Sequence, residues 1–407
     1  MRQRLVIIGA GMAAAYLLQE LQRDGAQLEI TVVGEERDTC YNRVLLSSAL
    51  AGDSTEADLR MLAAGTTPGS TRFMAGTRVE SVVTSSRTLV TDRGLVLAYD
   101  LLVFATGASV ARPAVADVTI PGVEQLRTLA DARRLRGLAA GGGRAVVAGG
   151  GLLGLEAAHG LNALGIATTV VHRQSHLMNR QLDETGAGQL RADLHRSGIE
   201  FRLSDSVAAL KTGLAGLTGV ALASGETLPC SLLLCATGIT PNAALAASAG
   251  LAVERGIRID SHMRTSSKGV YALGECSQLG GHCFGLVAPI REQARVLAAQ
   301  LLGKSGPAFS VGHYPTQLKI SGIEIYSAGE LDNGGDQLVL HDEHAGIYRR
   351  LVLRDGRLVG AVLVGDKRGG NWYGELIGRG TDVTALRPGL MFGREVSEAR
   401  RSTARAA

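Results

Sequence analysis

The stretch LVIIGAGMAAAYLLQELQRDGAQLEITVVGE, residues 5–35, decides the fold class. Leu5 to Ile8 is an unbroken apolar run of the length of a buried strand, and it stops at the turn Gly9-Ala10-Gly11-Met12-Ala13-Ala14. A helical pattern runs from there through Glu20 and Leu21, and Leu28 to Val33 reads as a second strand followed by Glu35. Strand, glycine turn, helix, strand and acid in this order form a dinucleotide fingerprint. Gly9 permits the tight turn, and Gly11, having no Cβ, lets a pyrophosphate approach the backbone and the positive end of the helix. Ala13 and Ala14 complete the turn, with Ala14 where a third glycine is often found and a methyl group is tolerated. Glu35, or its neighbour Glu36, is placed to accept hydrogen bonds from a ribose hydroxyl.

At 407 residues the chain is too long for one ordinary core, so two or three domains are expected. A net charge of +4 is small for this length and gives no case for nucleic acid as a partner. Each long apolar stretch is broken by glycines and charges, so none reads as a membrane span. The N-terminus enters a strand at once, unlike a signal peptide. Five cysteines, Cys40, Cys230, Cys235, Cys276 and Cys283, form no CxxC pair and have no metal-ligand spacing, which suits a cytoplasmic protein with reduced thiols and no metal. Arg394 to Arg405 is basic and poor in apolar residues, and residues 394–407 read as a disordered tail.

Beyond Glu35, Arg43 offers a fork of donors for a phosphate or an adenine, or is a solvated loop arginine. Residues 71–97 alternate as antiparallel strands do, with Asp92-Arg93-Gly94 as a turn. Leu101 to Phe104 is another buried strand, and it ends in the small residues Ala105, Thr106 and Gly107, where a cofactor can lie against backbone. The same grammar then begins again. Arg144 to Ala148 is a strand, Gly149-Gly150-Gly151-Leu152-Leu153-Gly154 is a complete GxGxxG, Leu155 to Leu164 is helical, and Ile166 to Val171 is the next strand. This unit also closes on a buried strand and a small-residue turn, Leu232 to Cys235 and then Ala236-Thr237-Gly238. Two units imply two dinucleotides. A third signal, Val270-Tyr271-Ala272-Leu273-Gly274-Glu275, is a short strand ending at glycine and an acid.

These three signals in this order resemble the two-dinucleotide-binding-domain flavoproteins of the pyridine nucleotide-disulfide oxidoreductase superfamily. The resemblance implies an α/β fold with two Rossmann-like dinucleotide-binding domains, the second inserted in the first, plus a C-terminal α+β domain. It implies FAD on the first unit, NADH or NADPH on the second, and Glu275 on the ribityl chain. The implied division is a first FAD-binding part at 1–112, an NAD(P)H-binding domain at 113–242, a second FAD-binding part at 243–310 and a C-terminal domain at 311–393. Tyr41 to Ser48 (YNRVLLSS), Met178 to Asp183 (MNRQLD), Gly285 to Pro289 (GLVAP) and Leu351 to Ala361 are similar to the flavin-binding part of the NAD(P)H nitrite reductase large subunit and to the reductase subunit of assimilatory nitrate reductase. On that likeness the acceptor centres are expected on another polypeptide, because a nitrite reductase large subunit continues into iron-sulfur and sirohaem regions where this chain stops. The implied activity is electron transfer from NAD(P)H through FAD to a redox partner in nitrate or nitrite reduction. Two alternatives are a reductase for rubredoxin, ferredoxin or another small iron-sulfur carrier, and a non-catalytic redox-sensing subunit.

Within this resemblance Glu156 would lie near the flavin and nicotinamide rings, or serve only as a favourable charge at a helix N-terminus. Pro289 would open a helix over 290–302 whose free N–H groups, with Ala288 and Pro289 at its start and Glu292-Gln293-Ala294 in support, would face the flavin and stabilise negative charge on the reduced ring. Ser47 and Ser48 stand where cysteine-dependent or lysine-bearing relatives differ, and Cys40 comes earlier, so disulfide and peroxidase chemistry is not expected. After the second unit's strand come His172 and Arg173 in place of an acid. Arg173 suits the phosphate of NADPH, yet nitrite reductase relatives also lack the acid, so both nucleotides stay open. From Tyr314 (YPTQLK, to Lys319) the pattern changes to short strands over 318–325, 347–353 and 358–364, then a helix over 372–377. His341 and His344 read as a solvated turn, and His159 and His195 as structural.

Overall fold

The computed structural model describes residues 2–63, 67–117, 119–312, 314–318, 320, 322–331 and 334–399. The opening strand, Arg4–Ile8, lies at the centre of a five-stranded parallel sheet. Glu29–Gly34 and then Thr71–Ala75 extend it on one side, Leu101–Phe104 and then Val270–Ala272 on the other. The sheet's last strand therefore arrives only after the entire second unit, which is an insertion within the first, as the family resemblance implied. Helix α1 (Met12–Arg23) covers the sheet with Ala14, Leu17, Leu18 and Leu21, spaced to share one face and all fully buried. The short helix α2 (Leu46–Ala51) and helix α3 (Leu129–Ala139) pack against each other through Leu46, Ala49, Leu129 and Ala132.

The second unit repeats the plan. Arg144–Ala148 is flanked by Ala167–His172 and Glu200–Leu203 on one side and by Leu232–Cys235 and Val123–Gln125 on the other, all parallel. Helices α4 (Leu152–Ala163) and α5 (Glu184–Arg196) belong to this unit. Each unit also carries a three-stranded antiparallel excursion, over 79–98 just before Leu101–Phe104 in the first and over 207–229 just before Leu232–Cys235 in the second. The internal repeat thus extends beyond the glycine motifs. Thr71–Ala75 departs from the expected antiparallel run, being the parallel edge of the main sheet, whereas the Asp92-Arg93-Gly94 turn forms with Gly94 at φ +71°. A two-stranded ribbon, Ala108–Val110 with Ile239–Pro241, ties the chain's exit from the first unit to its return.

After the short helix α6 (Ala244–Ser248) and helix α7 (Val287–Leu301), which packs on α1, the chain builds a five-stranded antiparallel sheet. Its order is Thr316–Gln317, Ile325–Gly329, Arg357–Val364, Ile347–Arg354, Asp336–Asp342. The run 318–325 is not one strand, since Ile320 and Ile323 form only an isolated bridge; Lys319 lies outside the described residues. Helix α8 (Gly370–Arg379) covers one face, its Tyr373 sharing a core with Tyr326, Leu351 and Leu363 of the sheet. The opposite face, with Ile325, Tyr348, Val362 and Val364, shares a core with Leu182, Ala187 and Leu190 of the second unit. Residues 394–399, read from sequence as the start of a disordered tail, are helical; Ser397 is fully buried and bonds the Gly393 carbonyl at 2.7 Å. Residues 400–407 of that tail lie outside the described residues. No described helix is long and apolar enough to cross a membrane.

Candidate functional site

Gly9 has φ +109°, and a Cβ there would sit 2.2 Å from the Ala105 carbonyl oxygen. Only glycine lets the first turn lie against the small-residue end of the neighbouring strand. Gly11 caps α1 with no side-chain bond to its free N–H groups, and a Cβ added at Gly11 would meet nothing nearer than the Arg43 guanidinium at 3.7 Å. Ala14 is fully buried and Ala13 lies against Gly274, whose added Cβ would come within 2.9 Å. An uncapped helix N-terminus beside an arginine is a fitting cradle for a pyrophosphate. Arg43 is no solvated loop residue: Nη1 donates to the Arg127 carbonyl at 2.9 Å and Nη2 pairs with Glu36. Tyr41 also donates to Glu36, at 2.5 Å. Glu36 is thereby committed, which leaves exposed Glu35 as the acid at the strand's carboxyl end.

Gly107, at φ +65°, faces Glu275 and Arg127, with an added Cβ 3.8 and 3.7 Å from their nearest atoms. Arg127 was not visible as a site residue in the sequence. Its Nε donates to the Ala108 carbonyl at 3.0 Å, its Nη1 and Nη2 grip both oxygens of Glu275, and the two side chains are only 15% and 17% exposed. The sole local signal is its place before the Thr128 to Asp131 capping box that opens α3. Gly274, at φ +80°, is held by Gln293, whose Oε1 accepts from its N–H at 2.7 Å while the buried Nε2 has no partner among the described residues. Helix α7 begins at Val287, earlier than expected, so Ala288 and Pro289 fall within its first turn; the N-cap residue Leu286 offers no side-chain bond and the first turn holds no acid. Its first N–H groups receive no side-chain cap from Leu286, and Pro289 has none to offer.

The second turn repeats this geometry. Gly149 has φ +127° and an added Cβ 2.3 Å from the Ala236 carbonyl oxygen; at Gly154 it would lie 2.0 Å from the Gly149 carbonyl oxygen. Gly151 caps α4 with no atom within 4 Å of its missing side chain, Gly238 likewise faces open space, and Leu153 stands 52% exposed on the first turn. His172 departs from expectation: it is buried, not presented to a ligand, and its Nδ1 accepts from the Gly150 N–H at 3.1 Å. Burial pushes its pKa down, so the ring is held neutral. Arg173 beside it is exposed. The hydroxyls of Thr106 and Thr237 are spent on the joint between units, donating to the Asn242 and Ala111 carbonyls at 2.7 and 2.5 Å. Ser47 on α2 donates to Glu156 on α4 at 3.1 Å, and both are buried. Burial raises the Cys40 thiol to about 12, leaving no thiolate beside the first turn. His341 packs edge-on against the Tyr348 ring, 5.5 Å away. No described group of three or more His, Cys, Asp or Glu could hold a metal.

The model of the pyridine nucleotide-disulphide oxidoreductase family matches residues 3–300. The chain belongs to this family. Membership makes it an oxidoreductase and implies binding of FAD and a nicotinamide nucleotide. A second model, of the rubredoxin NAD+ reductase C-terminal domain, matches residues 315–381. The chain is 36% identical over 372 residues to the assimilatory nitrate reductase electron transfer subunit of Bacillus subtilis (strain 168), covering 90% of this chain and 48% of that protein. Nitrite reductase [NAD(P)H] of the same organism is 34% identical over 387 residues, covering 94% and 48%. The chain thus spans about half the length of these two curated relatives. It is also 33% identical to the nitric oxide reductase FlRd-NAD(+) reductase of Vibrio vulnificus (strain YJ016), over 90% of this chain and 95% of that protein. The reductase chain of a covalent putidaredoxin reductase-putidaredoxin complex superposes with a TM-score of 0.87 at 25% identity, covering 100% and 99% of the two chains.

Proposed function

We propose that this family member draws electrons from NAD(P)H bound at the second glycine turn into FAD bound at the first, and delivers them to a redox protein active in nitrate or nitrite reduction. The observation that carries this reading is the pair of open, uncapped helix N-termini at Gly11 and Gly151, each at the carboxyl edge of its own parallel sheet. The Ser47 to Glu156 bond and the Thr106, Thr237 and Asn242 contacts join the two units. When bound, FAD supplies acceptance of a hydride from NAD(P)H and release of electrons one at a time.

The protein's own part is orientation and charge placement. Gly9, Gly11, Ala13, Ala14, Glu35 and Arg43 would hold the nucleotide half of FAD, with Ala105, Thr106, Gly107, Gly274 and Glu275 beside its remainder. The open first turn of α7 at Ala288 and Pro289 would favour negative charge on a reduced ring. Gly149, Gly151, Leu153, Gly154, Arg173, Ala236 and Gly238 would seat the nicotinamide nucleotide, while Ser47 orients Glu156 between the sites. Relatives named as nitrate reductase electron transfer subunit and nitrite reductase support the acceptor class. A small iron-sulfur carrier is the second reading, favoured by the rubredoxin reductase C-terminal match and the near-full-length likeness to a FlRd-NAD(+) reductase.

Anaerobic titration of the FAD-reconstituted chain tests the proposal. Flavin absorbance is expected to bleach with NADH or NADPH and to return on adding rubredoxin or a nitrite reductase module, whichever is the acceptor. A chain that takes up no flavin, or holds a flavin that neither nucleotide bleaches, would refute it.

A further inference from the structure

Two bonds fold the segment after the second unit's second strand back onto its glycine turn. The ring Nδ1 of His172 accepts from the Gly150 N–H at 3.1 Å, and the Met178 N–H donates to the Gly150 carbonyl at 2.9 Å. Met178 takes φ +47° to do so, and Gln181 and Leu182 donate back to its carbonyl at 2.7 and 2.9 Å. Residues 173–177 thus form a closed loop whose two ends meet at one glycine of the GxGxxG. Arg173 follows directly on the first anchor and Arg180 comes two residues after the second. Both are exposed.

No carboxylate occurs between His172 and Leu182. Asp183, which comes next, is occupied: it accepts from the Gly186 N–H at 3.0 Å, from the Tyr348 hydroxyl at 2.5 Å and from Arg350 at 3.0 Å. Asp205, whose N–H bonds the His172 carbonyl at 3.1 Å, lies on the next strand's exit and accepts the N–H groups of Ser206 and Ser224 through Oδ1. A ribose with a free 2′-hydroxyl would therefore find no acid in the loop that follows this strand, whereas a 2′-phosphate would find two exposed arginines in the same segment. His172 holds the turn from inside and leaves recognition to the residues flanking it.

We propose that this chain selects the 2′-phosphorylated nucleotide, NADPH over NADH, and that Arg173 and Arg180 read the phosphate. The inference rests on the nicotinamide nucleotide lying at the second glycine turn. Isothermal titration of the FAD-loaded chain with 2′,5′-ADP and with 5′-AMP, which differ only in the 2′-phosphate, tests it without turnover. The expected result is binding of 2′,5′-ADP about tenfold or more tighter than 5′-AMP, since two charge-assisted contacts exceed the roughly 1.4 kcal/mol that tenfold requires. The preference should weaken as salt rises, and it should vanish in the Arg173→Ala/Arg180→Ala double variant, the two probes then binding equally. Equal affinity for the two probes, no binding of 2′,5′-ADP, or a preference that survives the double variant would overturn it. A chain whose flavin neither NADH nor NADPH bleaches would sink the reductase reading while the binding ratio still decided this one.

Discussion

Adding a methyl group at Gly9 would set a carbon 2.2 Å from the Ala105 carbonyl oxygen, and at Gly149 one 2.3 Å from the Ala236 carbonyl oxygen. Both positions also hold φ above +100°, so alanine is strained at either site whatever the surroundings do. The chemical consequences should differ, because the turns serve different halves of the proposed relay. Gly9→Ala should purify with little flavin absorbance. Gly149→Ala should keep its flavin and lose bleaching by NAD(P)H, at least about 100-fold in rate if the nucleotide is displaced by about 1 Å. Anaerobic spectra of the two variants check this. The Arg127 and Glu275 pair makes a second residue-scale prediction. Arg127→Met leaves a mostly buried carboxylate uncompensated and should cost about 3 kcal/mol in urea unfolding, whereas Arg127→Met/Glu275→Met should cost less. Equal losses in the single and double variants would mean the pair itself does not set the cost.

At the scale of elements, helix α3 belongs to both units. Leu129 and Ala132 pack on the first unit's Tyr41, Leu46 and Ala49, while Leu135 and Ala139 enter the second unit's core. Arg133 reinforces the first contact through Asp38 and Glu56, at 2.8 and 2.6 Å. A boundary at residue 112 is therefore a boundary in connectivity more than in packing. Both glycine units were legible in the sequence because they rest on local chemistry, namely positive φ, missing Cβ atoms and apolar spacing, whereas the insertion of the second in the first came only from the family resemblance. Arg127 was not, since its partner stands 148 residues away and only the tertiary fold aims one at the other. The orientation of His172 was hidden for the same reason. Thr71–Ala75 was misread because a short parallel edge strand has no sequence signature separating it from an antiparallel one. In the C-terminal sheet, Asp366 is held at about 2, chiefly by hydrogen bonding from Arg368 and further by Arg349. Its carboxyl is thus below the ordinary value of about 4, so its stabilisation is present above about pH 4 and is lost as pH falls through about 2. The urea midpoint of Asp366→Asn should lie below that of the parent at neutral pH, with the gap closing across this acid window.

At the scale of the whole molecule, the C-terminal sheet is bound to the nicotinamide unit by more than a linker. Val362, Val364 and Tyr348 share an apolar core with Leu182, Ala187 and Leu190, and Gln189 bonds the Gly346 carbonyl. Asp183 joins these layers: it caps α5 through Gly186 and accepts from Tyr348 and Arg350 on the sheet. The segment carrying Arg173 and Arg180 ends at this residue, so the nucleotide loop is anchored at Gly150 on one side and on the C-terminal sheet on the other. A shared core predicts one cooperative unfolding transition for the two layers, since neither can open without exposing the other's apolar face. Arg350→Met removes one charged contact from a pair whose side chains are 12% and 19% exposed, and should cost about 2 kcal/mol while Tyr348 still engages Asp183. Calorimetry should show that variant melting earlier in a single transition for these two layers. Two separated transitions would mean that the ion pair, and not the apolar core, holds the C-terminal sheet on the nicotinamide unit.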